Sequence, residues 1–207
     1  VFKEEILRMK GDIPYGNYEK VLMHICCAPD ATYPLFYLRG RHYVVTGFFF
    51  DPNIHPESEY LKRLDETKRF SEVYRMPLID GEYSTSEWFQ AVKGHEKDLE
   101  GGERCYFCYK YRLERTAQLS KKMGFDFFTT TLSISPHKNS NWIFEISEEF
   151  ERVYGVKFLK ADFKKRNGFK SSTILSRFYG MYRQNYCGCI FSKIESEKFL
   201  MSKENNI

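Results

Sequence analysis

No stretch of the sequence approaches the roughly 20 consecutive apolar residues that a membrane-spanning helix needs, which excludes a helical membrane protein. The opening residues Val1-Phe2-Lys3-Glu4-Glu5 also lack the apolar core of a signal peptide. A soluble, cytoplasmic protein with no membrane partner is expected. There is no internal repeat, no low-complexity tract and no interdomain linker, which excludes a solenoid, a disordered chain and a string of modules. The 207 residues therefore suit one domain, with its core at about 20–160 and a helical C-terminal region at about 161–207. Charge of one sign is scarce as well: 32 Lys and Arg against 28 Asp and Glu leave a net +4. Basic residues gather at Lys160, Lys164, Lys165, Arg166, Lys170, Arg177 and Arg183. Phosphate is permitted there, but a solvated face accounts for such a stripe on charge alone.

What the chain does contain is cysteine in pairs: Cys26-Cys27, Cys105-x-x-Cys108 and Cys187-x-Cys189. In a secreted chain of less than about 100 residues these would read as disulfides. In a reducing cytosol, pairs in a longer chain are more often metal ligands or redox groups. Cys-x-x-Cys at a helix start turns two thiolates towards one metal, a pattern shared by zinc, iron–sulfur and dithiol sites. In Cys-Gly-Cys the glycine permits a backbone reversal that a side chain would obstruct. Adjacent cysteines at a strand end are expected to point apart and to serve two neighbouring metals.

Six thiolates and the carboxylate of Asp30 make seven donors, whereas one zinc or one cubane cluster takes about four. A four-iron cluster beside a mononuclear metal is the favoured reading. Paired structural zincs, or one metal with spare or disulfide-forming cysteines, stay open. A carboxylate among thiolates suits iron.

The pattern along the chain places these residues. A charged N-terminal helix and a turn at 12–17 precede a first buried strand, Lys20 to Ile25, which ends abruptly at Cys26-Cys27-Ala28-Pro29-Asp30. A helix is expected from about Ala31 to Leu38, then strands at Tyr43–Phe50, Met76–Ile79, Phe125–Thr131 and Gly155–Leu159. Helices are expected at Glu57–Tyr74, around Trp88, from Cys105 to Met123 with Gly124 as its cap, and from about 139 to Phe150. This alternation predicts an α/β fold with a largely parallel sheet flanked by helices, and a helical C-terminal region that completes the metal site. Ligands of such sheets bind beyond the carboxyl ends of the strands. Cys26-Cys27, Asp51 and Thr129-Thr130-Thr131 are expected to share that crevice. His24 reads as a buried, hydrogen-bonded strand histidine or as a donor supporting the site. Asp51-Pro52-Asn53-Ile54-His55-Pro56 reads as a rigid loop displaying Asp51, Asn53 and His55, or as a plain turn. Tyr106 and Tyr109 suit base stacking or core packing.

Five ordered motifs carry a resemblance: the segments 24–30, 51–56, 105–109, 129–138 and 182–189. Together they resemble the cobalamin-independent epoxyqueuosine reductases of the QueH type, from about Val21 to Ser192. The resemblance implies reduction of epoxyqueuosine to queuosine at the wobble position of tRNA, using an iron–sulfur cluster and a nearby iron. It implies tRNA carrying epoxyqueuosine and an external low-potential electron donor as partners. All six cysteines and Asp30 are then candidate ligands of a [4Fe-4S] cluster and an adjacent mononuclear iron. Asp51 and His55 are candidate proton donors, Lys138 and Arg183 candidate phosphate contacts, and Tyr106 a candidate base-stacking residue. A more distant similarity joins the chain to PP-loop enzymes of the HUP type. Their Gly-rich ATP loop is replaced here by Cys26-Cys27-Ala28-Pro29-Asp30-Ala31, which lacks the glycines. The rivals are an ATP-dependent tRNA-modifying enzyme of that kind and a zinc-stapled nucleic-acid-binding module.

Overall fold

A computed structural model describes residues 18–204. The helix and turn expected before Tyr18 lie outside the described residues. The elements run β1 (Lys20–Ile25), α1 (Ala28–Arg39), β2 (Val44–Phe49), α2 (Glu57–Val73), β3 (Leu78–Asp80), α3 (Thr85–Ala91), α4 (Glu103–Met123) and β4 (Phe127–Thr130). A 3-10 turn (Thr131–Ile134), α5 (Ser140–Tyr154), β5 (Lys157–Phe158), α6 (Gly168–Phe178) and α7 (Ile190–Glu204) follow.

All strand pairings are parallel, in the order β3-β2-β1-β4-β5. β1 is central, which is why Val21, Leu22, Met23 and Ile25 are fully buried and read as a continuous apolar run. The order reverses between β1 and β4, and the crevice of such a sheet opens at that switch point. Lys20 pairs with Val44, and Val21 with Phe127, so the carboxyl ends of β1, β2 and β4 finish side by side. The expected α/β architecture is observed, with the sheet between helices. Among the described residues no helix is long and apolar enough to cross a membrane.

Several boundaries shift from the pattern-based expectation, β3 to Leu78–Asp80 and β5 to Lys157–Phe158 among them, and two of the shifts have a plain physical reason. α1 begins at Ala28, three residues early, and includes Pro29 in its first turn. Proline is tolerated there because the first-turn N–H groups have no helical partner. β4 stops at Thr130, where the Thr130 hydroxyl accepts the Leu132 N–H at 3.1 Å and caps the 3-10 turn. The cap of α4 is as expected: Gly124 takes the left-handed conformation at φ 69°.

Candidate metal centre

Ile25 ends β1, and the chain bends through Cys26 into the extended N-cap residue Cys27 (φ −171°, ψ 157°). Asp30 follows in the first turn of α1. This places one ligand atom each of Cys26, Cys27 and Asp30 within 4.8 Å of one another, and all three residues are buried. The expectation that adjacent cysteines point apart is therefore corrected. Because the strand ends between Ile25 and Cys26, the alternation of side chains is broken, and both thiols turn to the same side. The helix start also favours negative charge at this point.

The other four cysteines form a second group. Cys105 and Cys108 sit three residues apart in the first turns of α4, on one face. They line a single cavity with Cys187, Cys189, Asn53, Trp88, Tyr109, Arg112 and Lys138. Long-range contacts hold the Cys187-Gly188-Cys189 turn against this face. Arg63 in α2 donates to the Cys187 and Tyr186 carbonyls at 3.1 and 3.4 Å, and the His55 N–H donates to the Gly188 carbonyl at 2.8 Å. Gly188 has φ +123°, and a Cβ there would sit 3.0 Å from both Arg63 Nη1 and Ile54 Cγ1. Only glycine fits both the conformation and the space.

The sulfurs do not lack donors. Cys105 Sγ accepts from the Gly101 N–H at 3.3 Å, and Cys108 Sγ from Trp88 Nε1–H at 3.3 Å. Cys189 Sγ accepts from the Ser192 N–H at 3.4 Å, and the Ser192 hydroxyl lies 3.0 Å from Cys187 Sγ. Cys27 Sγ accepts from Gln184 Nε2 at 3.2 Å. A hydrogen bond from Cys27 holds the Cys26 thiol below its usual range and pushes Cys27 up, with burial and Asp30 adding to the rise. Burial takes Cys105 up to about 11. Burial also raises Cys108, against the pull of Arg112 and the Trp88 N–H. Burial of this kind disfavours free thiolates at Cys27, Cys105 and Cys108, and a metal sharing the sulfur charge would relieve that cost. Four thiols around one cavity match the donor count of a cubane cluster. Two thiols and a carboxylate suit one borderline ion such as iron or zinc.

The remaining candidates take different positions. Asp51 is 1% exposed and ion-paired to Arg112 of α4. Burial raises its carboxyl, opposed by Arg112, Arg63 and Lys138. Arg112, Arg63 and Trp88 were not identified from the sequence as belonging to the site. His55 has Nδ1 on the Asn53 carbonyl at 2.8 Å and its ring against Trp88 and Phe89. His24 is fully buried, with Nε2 on the Phe50 carbonyl at 3.2 Å and Nδ1 on the Thr130 hydroxyl at 2.8 Å. The carbonyl can only accept, so Nε2 carries a proton, and with the ring neutral Nδ1 accepts from the Thr130 hydroxyl. Burial and Arg112 lower it in agreement. It ties the ends of β1, β2 and β4 together beneath the cysteines. Lys138, partly exposed, lines the cavity. Tyr106 packs edge-on against Phe107 and Trp142, and Arg183 donates to the Ser176 hydroxyl at 2.7 Å.

A sequence model of one family, described as epoxyqueuosine reductase QueH, matches residues 21–195. The chain belongs to the QueH family. Among its relatives, the epoxyqueuosine reductase QueH of Thermotoga maritima is 43% identical over 178 residues, covering 84% of this chain and 91% of the relative. That of Streptococcus pyogenes serotype M1 is 40% identical over 178 residues, covering 83% and 69%. Among solved structures, the U34-tRNA thiolase NcsA from Methanococcus maripaludis, with its [4Fe-4S] cluster, is similar at a TM-score of 0.53 and 13% identity. That similarity covers 99% of this chain and 72% of the thiolase. At such low identity the likeness concerns the fold, and it is the same kind of α/β fold that QueH adopts here.

Proposed function

We propose that this QueH protein reduces the epoxide of epoxyqueuosine in tRNA to the alkene of queuosine. In this reading Cys105, Cys108, Cys187 and Cys189 hold a [4Fe-4S] cluster, and Cys26, Cys27 and Asp30 hold a mononuclear iron beside it. The observation that carries the reading is that Cys26 and Cys27 pack in one cluster with Cys105, and that Arg112 and Lys138 on the wall of the four-cysteine cavity also face Cys26, in a chain of this family.

The reaction takes two electrons and two protons and releases the epoxide oxygen as water, with the electrons coming from an external low-potential reductant. When bound, the two iron centres supply one-electron transfer and Lewis acidity. The chain supplies the rest. Burial works against the charge of Lys138, but Cys26 and Asp30 outweigh it and keep the ammonium protonated. We assign Lys138 to the reacting end of the substrate: its Nζ hydrogen-bonds the epoxide oxygen and gives it a proton as the C–O bond opens. Arg112 is buried, and the charges of Asp51, Cys108 and Cys26 hold it protonated. It balances the negative charge of the thiolates. Asp51, locked to Arg112, orients that cation and is not the proton source. His55 shapes the loop through Asn53. Tyr106 is assigned to a base of the anticodon loop, and Arg183, with donors left beyond its bond to Ser176, to a phosphate.

The test is conversion of epoxyqueuosine-containing tRNA by anaerobically prepared protein and a low-potential reductant, with queuosine measured by nucleoside mass spectrometry. Turnover should track iron content and be indifferent to ATP. Equal turnover by a zinc-loaded, iron-free preparation would reject the reading. Lys138→Met should lower kcat on the order of 10²–10⁴-fold while KM and iron content stay near wild type. A large rise in KM with kcat unchanged would return Lys138 to substrate binding alone.

A further inference from the structure

Three of the four sulfurs around the cavity accept from a protein N–H: Cys105 from Gly101, Cys108 from Trp88 and Cys189 from Ser192. Two of these donations come from residues within four positions of the cysteine they serve. Trp88 differs, because it reaches Cys108 from α3, 20 residues away. It is fully buried, and an indole N–H can only donate. Among the described residues, its bond to Cys108 Sγ is the one hydrogen bond of that N–H. A buried N–H committed to sulfur gains most when the sulfur carries thiolate charge, since a neutral thiol is a weak acceptor.

We propose that Trp88 sets the reduction potential of the centre held by Cys105, Cys108, Cys187 and Cys189. Adding an electron raises the negative charge spread over the cysteine sulfurs. A donor fixed on one of them stabilises the reduced form more than the oxidised form, and so makes the centre easier to reduce. The remainder of the Trp88 ring is ordinary packing, against His55, Phe89 and Phe191. Phenylalanine retains that packing in large part and removes the N–H. The inference rests on the cluster assignment made under the proposed function.

The experiment is a reductive titration of full-length, iron-loaded protein, followed by visible absorption and electron paramagnetic resonance. Trp88→Phe should keep its iron and sulfide and shift the midpoint potential to more negative values. A ten-fold change in the reduction equilibrium is about 59 mV for one electron. Equal potentials in wild type and a loaded Trp88→Phe protein overturn the role of Trp88 and leave the cluster assignment standing. A wild-type protein that binds no iron overturns both. Where Trp88→Phe does not load, wild-type Trp88 is read directly. Trp142→Phe leaves Trp88 as the remaining tryptophan of two. Hyperfine coupling from a ¹⁵N-labelled indole to the reduced centre supports the bond, and its absence overturns the proposal.

Discussion

Serine in place of Cys105, Cys108, Cys187 or Cys189 is expected to abolish both turnover and visible absorption, whereas Asp30→Ala should abolish turnover and leave most of the absorption. The difference follows from where the donors sit. The first four line one cavity between the start of α4 and the C-terminal turn. Asp30 instead belongs to the separate cluster at the start of α1, with Cys26 and Cys27. Losing one cluster ligand puts a harder oxygen where a soft sulfur is needed. The effect should exceed the ~10–100-fold loss that removal of an outer hydrogen bond causes at a metal site. Asp30→Ala should retain about four iron and four sulfide per chain, the content of a cubane. Iron and sulfide analysis beside a turnover assay decides the matter. If Asp30→Ala loses all its iron, or Cys108→Ser retains a full cluster, the division of ligands into two groups is wrong.

That division was not legible in the sequence, although the donors themselves were. Local pattern carried the β1 end, the Cys-x-x-Cys helix start and the Gly124 cap, because each depends on neighbours within a few residues. It also located Asp51, at the end of β2, in the same crevice as Cys26. It missed Arg63 and Arg112, whose partners Cys187 and Asp51 lie 124 and 61 residues away. Nothing in the periodicity of a long amphipathic helix marks which of its arginines turns inward. The sequence pattern marks Trp88 only as the centre of a short helix, since the acceptor of its N–H is supplied by another element. The orientation of Cys26 and Cys27 was misjudged for a related reason. Strand alternation was extended one residue too far, past the point where α1 takes over the chain.

Asp51→Asn is expected to be the most damaging substitution of a residue assigned neither to metal nor to substrate. Arg112 is 3% exposed and Asp51 is 1% exposed, so neither charge has water to fall back on. Removing one partner of a buried pair leaves an uncompensated charge, at a cost of about 3–5 kcal/mol. Wild-type Asp51 has one oxygen on Arg112, while its other oxygen and Arg112 Nε find no hydrogen-bond partner among the described residues. The pair is therefore under-satisfied already, and in the asparagine variant the guanidinium is left with the sulfurs of Cys108 and Cys26. For a chain of this size, each kcal/mol corresponds to about 2–4 °C in Tm, so thermal unfolding should begin roughly 10 °C lower. Asp51→Asn combined with Arg112→Met removes both charges and should recover much of that Tm, because an apolar pair of similar volume is often neutral at such a site. Turnover should not recover with it, since Arg112 also faces the thiolates of Cys108 and Cys26. Thermal melts and turnover on the two variants therefore separate the roles. A single variant that melts like wild type would show that the pair does not hold the crevice together. A double variant with restored turnover would remove Arg112 from the chemistry.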